Sequence, residues 1–239
     1  MNYTNHQQEY HTDLLHLYQM DCMELLRQTP DKHFELAIVD PPYGLGKKLS
    51  AGGKTKGFIM SSLHKDWDNL PPNAEYFKEL KRVSKNQIIW GMNYFDLPPT
   101  RGIICWDKVM GGDTNFGAFE LAWTSFDVRS RIFKFCSHGG FIAEPADLPK
   151  IHSCQKPVKL YKWLLENYAK PGDKILDTHL GSGSIAIACH YMGYDLTACE
   201  LDPDYFNASI KRIEQETAQK DLFTTPEEQT TKEKHDNSD

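Results

Sequence analysis

Short apolar runs alternate with helical patterns along residues 1–216, and this alternation restricts the fold more than any other feature of the sequence. Phe34–Val39 is a compact apolar run of the kind expected for a buried parallel strand. Pro157–Tyr168 carries apolar residues at helical spacing, and the short apolar runs Lys174–Leu176 and Leu196–Cys199 flank a further helix. The alternation predicts an α/β fold: a single doubly wound domain with one mixed, mostly parallel sheet.

The remaining segments fit the same scheme. Further strands are predicted at Leu14–Met20, Gln87–Trp90, Gly102–Trp106 and Phe119–Phe126, and further helices at Cys22–Arg27, Asn73–Val83, Ile185–Met192 and Pro203–Glu216. Residues 45–70 and 128–151 show no clear period and are predicted to be loop insertions in the domain of residues 1–216. Residues 217–239 are polar and acidic, so we expect a disordered tail.

Charge is distributed unevenly along the chain. The formal net charge is −6, but residues 214–239 alone carry eight acidic and three basic residues. Leu45–Asp66 instead carries five lysines and one aspartate, and Val128–Lys170 carries eight basic and three acidic residues. Two basic segments of this kind could contact nucleic-acid phosphates. Charged loops that contact only solvent would have the same composition.

Composition also limits where the chain acts. No stretch approaches the roughly 18 consecutive apolar residues of a membrane span, and the N-terminus lacks the basic start and apolar centre of a signal peptide. The six cysteines form no C-x-x-C pair, which indicates reduced thiols in a cytoplasmic protein. His138, His152 and His179 lack the spacing of zinc ligands, so no metal site is predicted.

A strand, a glycine-containing turn, a helix and a second strand follow one another between Lys174 and Glu200. Gly181 and Gly183 would let the backbone approach a ligand closely at a helix N-terminus. Glu200 ends the second strand, where an acid can bind both hydroxyls of a ribose. Glycines occur in many strand-to-helix turns, but the acid about 20 residues further on favours a nucleoside cofactor.

Asp40-Pro41-Pro42-Tyr43 directly follows the buried strand Phe34–Val39. Two prolines prevent the strand or a helix from continuing and hold the turn rigid. The Asp40 carboxylate and the Pro41 carbonyl could accept two hydrogen bonds from one amino group, while the Tyr43 ring offers a face for stacking. This combination suits the exocyclic amine of a nucleobase, because two acceptors would favour a tetrahedral nitrogen with its lone pair directed at an electrophile. A capped Pro-Pro turn of purely structural use is the alternative.

These motifs resemble those of the β-class DNA amino-methyltransferases, which depend on S-adenosylmethionine. Asp40-Pro41-Pro42-Tyr43 is similar to their catalytic motif, and Gln155-Lys156-Pro157 followed by a helix and Asp177–Gly183 is similar to their joined cofactor motifs. The catalytic motif precedes the glycine turn here, as in the circularly permuted order of that class. The resemblance covers about Leu14 to Ile213. Thr178 and His179 depart from it, since proline and phenylalanine are usual at these places.

The resemblance implies a Rossmann-like methyltransferase fold and a role for each matched residue. It places Asp21 at the adenine of the cofactor, Glu200 at the ribose, Asp177 near the methionine portion and Lys156 at the amino-acid end. The implied catalytic residues are Asp40, Pro41, Pro42 and Tyr43. The implied cofactor-binding residues are Asp21, Cys22, Asp40, Lys156, Asp177, His179, Gly181, Gly183, Glu200 and Leu201.

The expected reaction is transfer of a methyl group from S-adenosyl-L-methionine to adenine N6 at a specific site in double-stranded DNA, with the base flipped into the pocket. The expected DNA contacts are Lys47, Lys48, Lys54, Lys56, Arg129 and Arg131. Family members with aspartate at the first motif position mostly methylate adenine, which favours adenine over cytosine N4. A cytosine-N4 enzyme and a non-catalytic DNA-binding protein with the same fold are the alternatives. A homodimer and a partner restriction enzyme rest on analogy with the family alone.

Overall fold

A computed structural model of the chain describes residues 2–45, 70–109, 117–136, 151–152 and 154–218. The strands of these ranges are β1 (Gln8–His11), β2 (Leu15–Gln19), β3 (Phe34–Val39), β4 (Ser84–Trp90), β5 (Ile103–Asp107), β6 (Phe119–Thr124), β7 (Arg131–Lys134), β8 (Lys174–Asp177) and β9 (Asp195–Glu200). The helices are α1 (Cys22–Gln28), α2 (Ala74–Val83), α3 (Val158–Tyr168), α4 (Ser184–Met192) and α5 (Pro203–Ala218), and Met92–Tyr94 forms a 3-10 turn.

All of these strands belong to one sheet in the order β1-β2-β9-β8-β3-β4-β6-β5-β7. The central strands β2, β9, β8, β3 and β4 run parallel to one another. β6 lies antiparallel between β4 and β5, β7 is parallel to β5, and β1 is antiparallel to β2 at the edge. The prediction of a single, mostly parallel α/β sheet is confirmed.

Hydrophobic side chains fill a layer on each face of this sheet, as expected when successive residues of a strand point to opposite sides. Leu36 and Ile38 of β3 lie in the layer that includes α3, α4 and α5. Ala37 and Val39 of the same strand lie in the layer that includes α1 and α2. A strand that is apolar at consecutive positions is therefore explained by helices on both faces.

Two strands were not predicted from the sequence. β1 reads QEYH and is largely exposed at the sheet edge, so it lacks an apolar run. β7 is only four residues long and lies in a segment without clear period. Trp90, Trp106 and Trp123, on the predicted strands, lie in the core.

The predicted insertions fall largely outside the described residues, which exclude 46–69 and 137–150. The same holds for residues 219–239 of the predicted tail, while α5 continues two residues past the predicted boundary, to Ala218. Since the five central strands are parallel, their carboxyl ends meet at one edge of the sheet. Asp21, Asp40, Asp177 and Glu200 all stand at that edge.

Candidate active site

One cavity opens at the carboxyl edge of the central strands, the usual position of ligand sites in open α/β sheets. Its empty space is about 990 Å³, including the open mouth. Eleven of the sequence-predicted residues line it: Asp21, Cys22, Asp40, Pro41, Pro42, Tyr43, Lys156, His179, Gly181, Glu200 and Leu201. Residues that sequence reasoning did not single out for a site, such as Tyr161, Ser182 and Tyr205, also line it.

The Glu200 carboxylate, at the end of β9, is held by backbone amides. The amide of Gly181 donates to Oε2 at 2.9 Å, and the amide of Asp202 donates to Oε1 at 3.0 Å. Burial raises the pKa of Glu200, and these two hydrogen bonds oppose that effect. Gly181 has φ of +54°, a backbone conformation that glycine adopts at little cost. The acid and the glycine turn are thus joined directly, as their spacing suggested.

Asp21 and Leu201 border the same side of the cavity. The Asp21 carboxylate caps α1 by accepting from the amide of Met23 at 2.8 Å. Leu201 is 63% exposed, although it is a large apolar residue, and its carbonyl accepts from Gln19 Nε2 at 2.8 Å. A fixed carboxylate and an exposed apolar side chain beside it form a surface suited to a flat ring with polar edges.

Thr178 and His179, the two residues that depart from the family motif, contact each other and Tyr76 on α2. The hydroxyls of Thr178 and Tyr76 lie 2.7 Å apart, and Thr178 Oγ1 lies 2.9 Å from His179 Nδ1. The His179 ring packs edge-on against Tyr76, with 5.6 Å between the ring centroids. Burial lowers the pKa of His179 to about 4, so the imidazole is neutral near pH 7. A neutral ring fills the position where a phenylalanine is usual.

Asp177 and Gly183 are not among the cavity-lining residues. Asp177 is 2% exposed and accepts a hydrogen bond from the amide of His179 at 3.0 Å, so it braces the turn from behind. Burial raises the pKa of Asp177 to about 8. Gly183 has φ of +75°, and a Cβ there would come within 3.0 Å of Ile213 on α5. The structure therefore gives Gly183 a packing position and Asp177 a supporting one.

The turn after β3 presents Asp40 and Tyr43 to the cavity. The Tyr43 hydroxyl donates to Asp40 Oδ1 at 2.6 Å. The Tyr43 ring stacks on Tyr94, with centroids 4.8 Å apart and planes 15° apart. Gly91 makes room for that ring, because a Cβ at this position would lie 2.2 Å from Tyr43 Cε1. Gly91 and Tyr94 were missed from the sequence, since the contact joins β4 to a turn about 50 residues earlier in the chain.

Lys156 lies against this turn and is only 2% exposed. Its ammonium contacts Asp40 Oδ2 and lies 3.1 Å from Glu120 Oε2 on β6. The second oxygen of Glu120 is 2.7 Å from Lys108 Nζ. These two lysines and two carboxylates form one connected group, which we call the ion-pair chain. A single acid within the apolar run of β6 was the sequence signal for Glu120, but nothing in that run indicates its partner.

The charges of the ion-pair chain stabilise one another. Burial acts to raise the pKa of Glu120, but Lys156 and Lys108 together lower it to about 2. Burial acts to lower the pKa of Lys156, but Asp40 and Glu120 raise it above its ordinary value. Burial raises the pKa of Asp40, and the Lys156 ammonium opposes this effect. The net charge of the four groups is zero when all are ionised, which suits a partly buried site.

The structure does not bring the predicted DNA-contacting arginines to the cavity. Because β7 runs parallel to β5 and β4, its first residue, Arg131, lies at the opposite edge of the sheet, with Arg129 just before it. Arg131 donates to Asn167 and lies 5.9 Å from the Tyr168 ring centroid. Lys47, Lys48, Lys54 and Lys56 lie outside the described residues.

Residues 113–211 match the family model N6_N4_Mtase, described as DNA methylase. This segment contains Glu120, Lys156 and Glu200, and the Asp40–Tyr43 turn precedes it. The type II methyltransferase M.HinfI of Haemophilus influenzae is 25% identical in an alignment that covers 81% of this chain and 66% of the relative. The chain thus spans just under two thirds of that relative's length.

Solved structures of DNA methyltransferases share the fold. PvuII DNA methyltransferase, which is cytosine-N4-specific, matches with a TM-score of 0.59 and 16% identity over 90% of this chain and 94% of that one. M1.HpyAVI in complex with S-adenosylmethionine matches with a TM-score of 0.52 and 17% identity over 83% of this chain and 100% of that one. The chain is similar to DNA methylases in sequence over part of its length and in fold over most of it.

Proposed function

We propose that this protein is a DNA methyltransferase that transfers a methyl group from S-adenosylmethionine to adenine N6 in double-stranded DNA. The observation that carries the proposal is that the Asp40–Tyr43 turn and the Glu200–Gly181 pair open into the same cavity. Acceptors for an amino group and groups that can bind a nucleoside therefore line the same cavity. The match of residues 113–211 to the DNA methylase family supports the same reaction class.

The residues on the cofactor side of the cavity fit the chemistry of S-adenosylmethionine. Glu200 would accept hydrogen bonds from the ribose hydroxyls, while Asp21 and exposed Leu201 would border the adenine. The bound cofactor supplies an electrophilic methyl group. The amide hydrogen bonds to both Glu200 oxygens hold the carboxylate in place, so little orientational freedom is lost on binding.

On the other side of the cavity, Asp40 and the Pro41 carbonyl would accept the two hydrogens of the base amino group. The rigid turn holds both acceptors in place, and positioning of this kind supplies a large part of the rate enhancement in transfer reactions. Tyr43 would stack on the flipped base and also donates to Asp40, so base binding and acceptor geometry are linked through one side chain.

Cytosine N4 is the second candidate acceptor. The specific observation in its favour is the likeness to the cytosine-N4-specific PvuII enzyme. Both amines are conjugated to a ring, so the acceptor pair suits either of them. The aspartate at the first position of the motif, which resembles that of adenine enzymes, is the reason for our choice of adenine.

The test is methylation of mixed-sequence duplex DNA with labelled S-adenosylmethionine, followed by digestion to nucleosides and mass spectrometry. We expect N6-methyladenine. N4-methylcytosine alone would contradict the base assignment. Cofactor binding without label in any nucleoside would instead favour a non-catalytic DNA-binding protein.

We further propose that Lys47, Lys48, Lys54 and Lys56 contact DNA phosphates. Neutralising all four should weaken binding to every sequence and flatten the salt dependence by roughly one unit of log–log slope per lost contact. Salt titration of fluorescent duplex binding measures this slope. Neutralising Lys78, Lys85, Lys174 and Lys211, which are exposed and lie outside both basic segments, is the matched control. Equal slopes for the two variants would show that the first group is an ordinary solvated loop.

A further inference from the structure

We propose that Glu120 and Lys108 are positioning residues, which set the ionisation and the direction of the Asp40 carboxylate through Lys156. This inference rests on the proposed function for its kinetic consequences, but its structural part concerns the protein alone. Neither Glu120 nor Lys108 lines the cavity among the described residues. On this proposal, Glu120 and Lys108 act only through Lys156, which contacts Asp40.

The geometry of the ion-pair chain carries the proposal. Lys156 is almost fully buried, and its ammonium lies between a carboxylate that faces the cavity and one that does not. Glu120 is in turn bonded at its second oxygen by Lys108, whose side chain is 12% exposed. The chain therefore runs from the acceptor towards the surface with alternating charge, and each inner member contacts two partners.

A lone lysine would serve Asp40 poorly. With Asp40 as its sole anion, a buried ammonium would draw that carboxylate into one tight pair and weaken it as an acceptor for the base amino group. Glu120 shares the ammonium, so Asp40 keeps acceptor capacity. Lys108 holds Glu120 at the other end, which prevents two neighbouring carboxylates from repelling each other.

Other groups around Asp40 do not duplicate this arrangement. Tyr43 donates from the same turn, and the ring of Trp90 on β4 lies 5.2 Å from Lys156 Nζ at its centroid. Tyr161 on α3, His152 and Cys154 before it, and Asp177 at the end of β8 are the other titratable groups that interact with Asp40, Tyr43 or Lys156, and burial lowers the pKa of His152 to about 4, so that its ring is neutral near pH 7. Each of these groups is neutral or anionic, which leaves Lys156 as the cation at the acceptor among the described residues.

The proposal predicts opposite effects for two substitutions. Glu120→Gln removes a negative charge near Asp40, so the pKa of Asp40 should fall and the acid limb of the kcat profile should move to lower pH. Lys156→Met removes the adjacent positive charge and leaves two carboxylates together. The acid limb should then move to higher pH, by roughly one unit or more.

Both variants should also lower kcat, by roughly 10- to 100-fold, because the acceptor is no longer held in its working direction. For Glu120→Gln the cofactor Kd, measured by calorimetry, should stay within about twofold of wild type. Lys108→Met should lower kcat less than Glu120→Gln does. Glu35→Gln is the matched control, since Glu35 forms a 2.9 Å ion pair with Lys85 on the same sheet, away from the cavity.

The direct experiment is a ¹³C NMR titration of the Asp40 side-chain carboxyl in the protein without cofactor, assigned with Asp40→Asn. A downward shift of the Asp40 titration in Glu120→Gln and no shift in Glu35→Gln would support the proposal. Unshifted Asp40 in Glu120→Gln, or a loss of kcat without movement of the acid limb, would overturn it. A wild-type protein that methylates no DNA would refute the proposed function. The titration would still decide whether the ion-pair chain sets the pKa of Asp40.

Discussion

The carboxylates in the cavity and next to it are held in two different ways on its two sides. On the side formed by β2 and β9, Asp21 and Glu200 accept hydrogen bonds from backbone amides of Met23, Gly181 and Asp202. On the side formed by β3 and β6, Asp40 and Glu120 are paired with lysines. Amides fix a carboxylate without neutralising it, whereas a lysine also sets its charge.

This difference matches the work proposed for each side. A carboxylate that binds hydroxyls needs only a fixed position and open lone pairs. A carboxylate that directs the lone pair of an amine must also stay ionised in a partly buried site, where burial raises its pKa. Pairing with Lys156 opposes that effect at Asp40, and no comparable cation is bonded to Glu200 among the described residues.

The largest expected effect is that of a substitution at Asp40, on the lysine-paired side of the cavity. Asp40→Asn keeps the size of the side chain but removes the charge that balances Lys156, so we expect kcat to fall by roughly 100-fold or more. Cofactor binding, set mainly by the other side, should change little. Single-turnover methylation and calorimetry measure the two quantities separately.

Tyr43→Phe is the matched control for Asp40→Asn. It removes the hydroxyl that donates to Asp40 and retains the ring, so its effect on kcat should be smaller. Full activity in Asp40→Asn would contradict the catalytic role of the carboxylate. An equal loss in both variants would mean that the hydrogen bond, and not the charge, is what the reaction needs.

Asp177 extends the comparison, because it is buried with an amide partner and its pKa is raised from 3.8 to about 8. Between these values the folded protein binds a proton that the unfolded chain has lost, so stability falls as pH rises, by up to about 1.4 kcal/mol per pH unit. Asp177→Asn should remove this slope and raise the free energy of unfolding by a few kcal/mol at pH 8, but little at pH 4. Urea unfolding at several pH values measures both effects.

Glu166→Gln, an exposed acid on α3, is the control for Asp177→Asn and should leave the slope of wild type unchanged. A slope that persists in Asp177→Asn would show that the carboxyl ionises in the folded protein. In that case the buried acid would itself need a cationic partner, and the distinction between the two sides would weaken.

Much of the fold and of the cofactor side could be predicted because the information is local. The turn from β8 to α4 and the acid at the end of β9 lie within 27 residues, and parallel pairing of β8 and β9 places them together. The Asp40–Tyr43 turn is likewise one continuous motif. Strand β1 could not be predicted, because an exposed edge strand carries no apolar pattern.

The lysine pairing could not be predicted, because it depends on contacts between distant segments. Lys156 meets Asp40 across 116 positions of the chain. Glu120 reaches Lys156 because β6 pairs antiparallel with β4. No periodic pattern in the sequence indicates a contact between segments so far apart. The placement of Arg131 away from the cavity has the same cause, since it follows from the direction of β7, a strand without a clear sequence signal.

The smallest expected effect is a loss of cofactor affinity, and it tests the role of Glu200 on the cofactor side. Glu200→Ala should weaken S-adenosylmethionine binding by about 1–3 kcal/mol, because the ribose hydroxyls lose a charged acceptor. The amides of Gly181 and Asp202 also lose their partner, so the glycine turn loses its link to β9. Glu200→Gln retains one acceptor oxygen and should lie between alanine and wild type. Calorimetry measures all three affinities, and Asp40→Asn provides a reference from the other side. If Asp40→Asn weakened cofactor binding as much as Glu200→Ala, the two sides would not be separable, and the division between a binding carboxylate and a reacting one would fail.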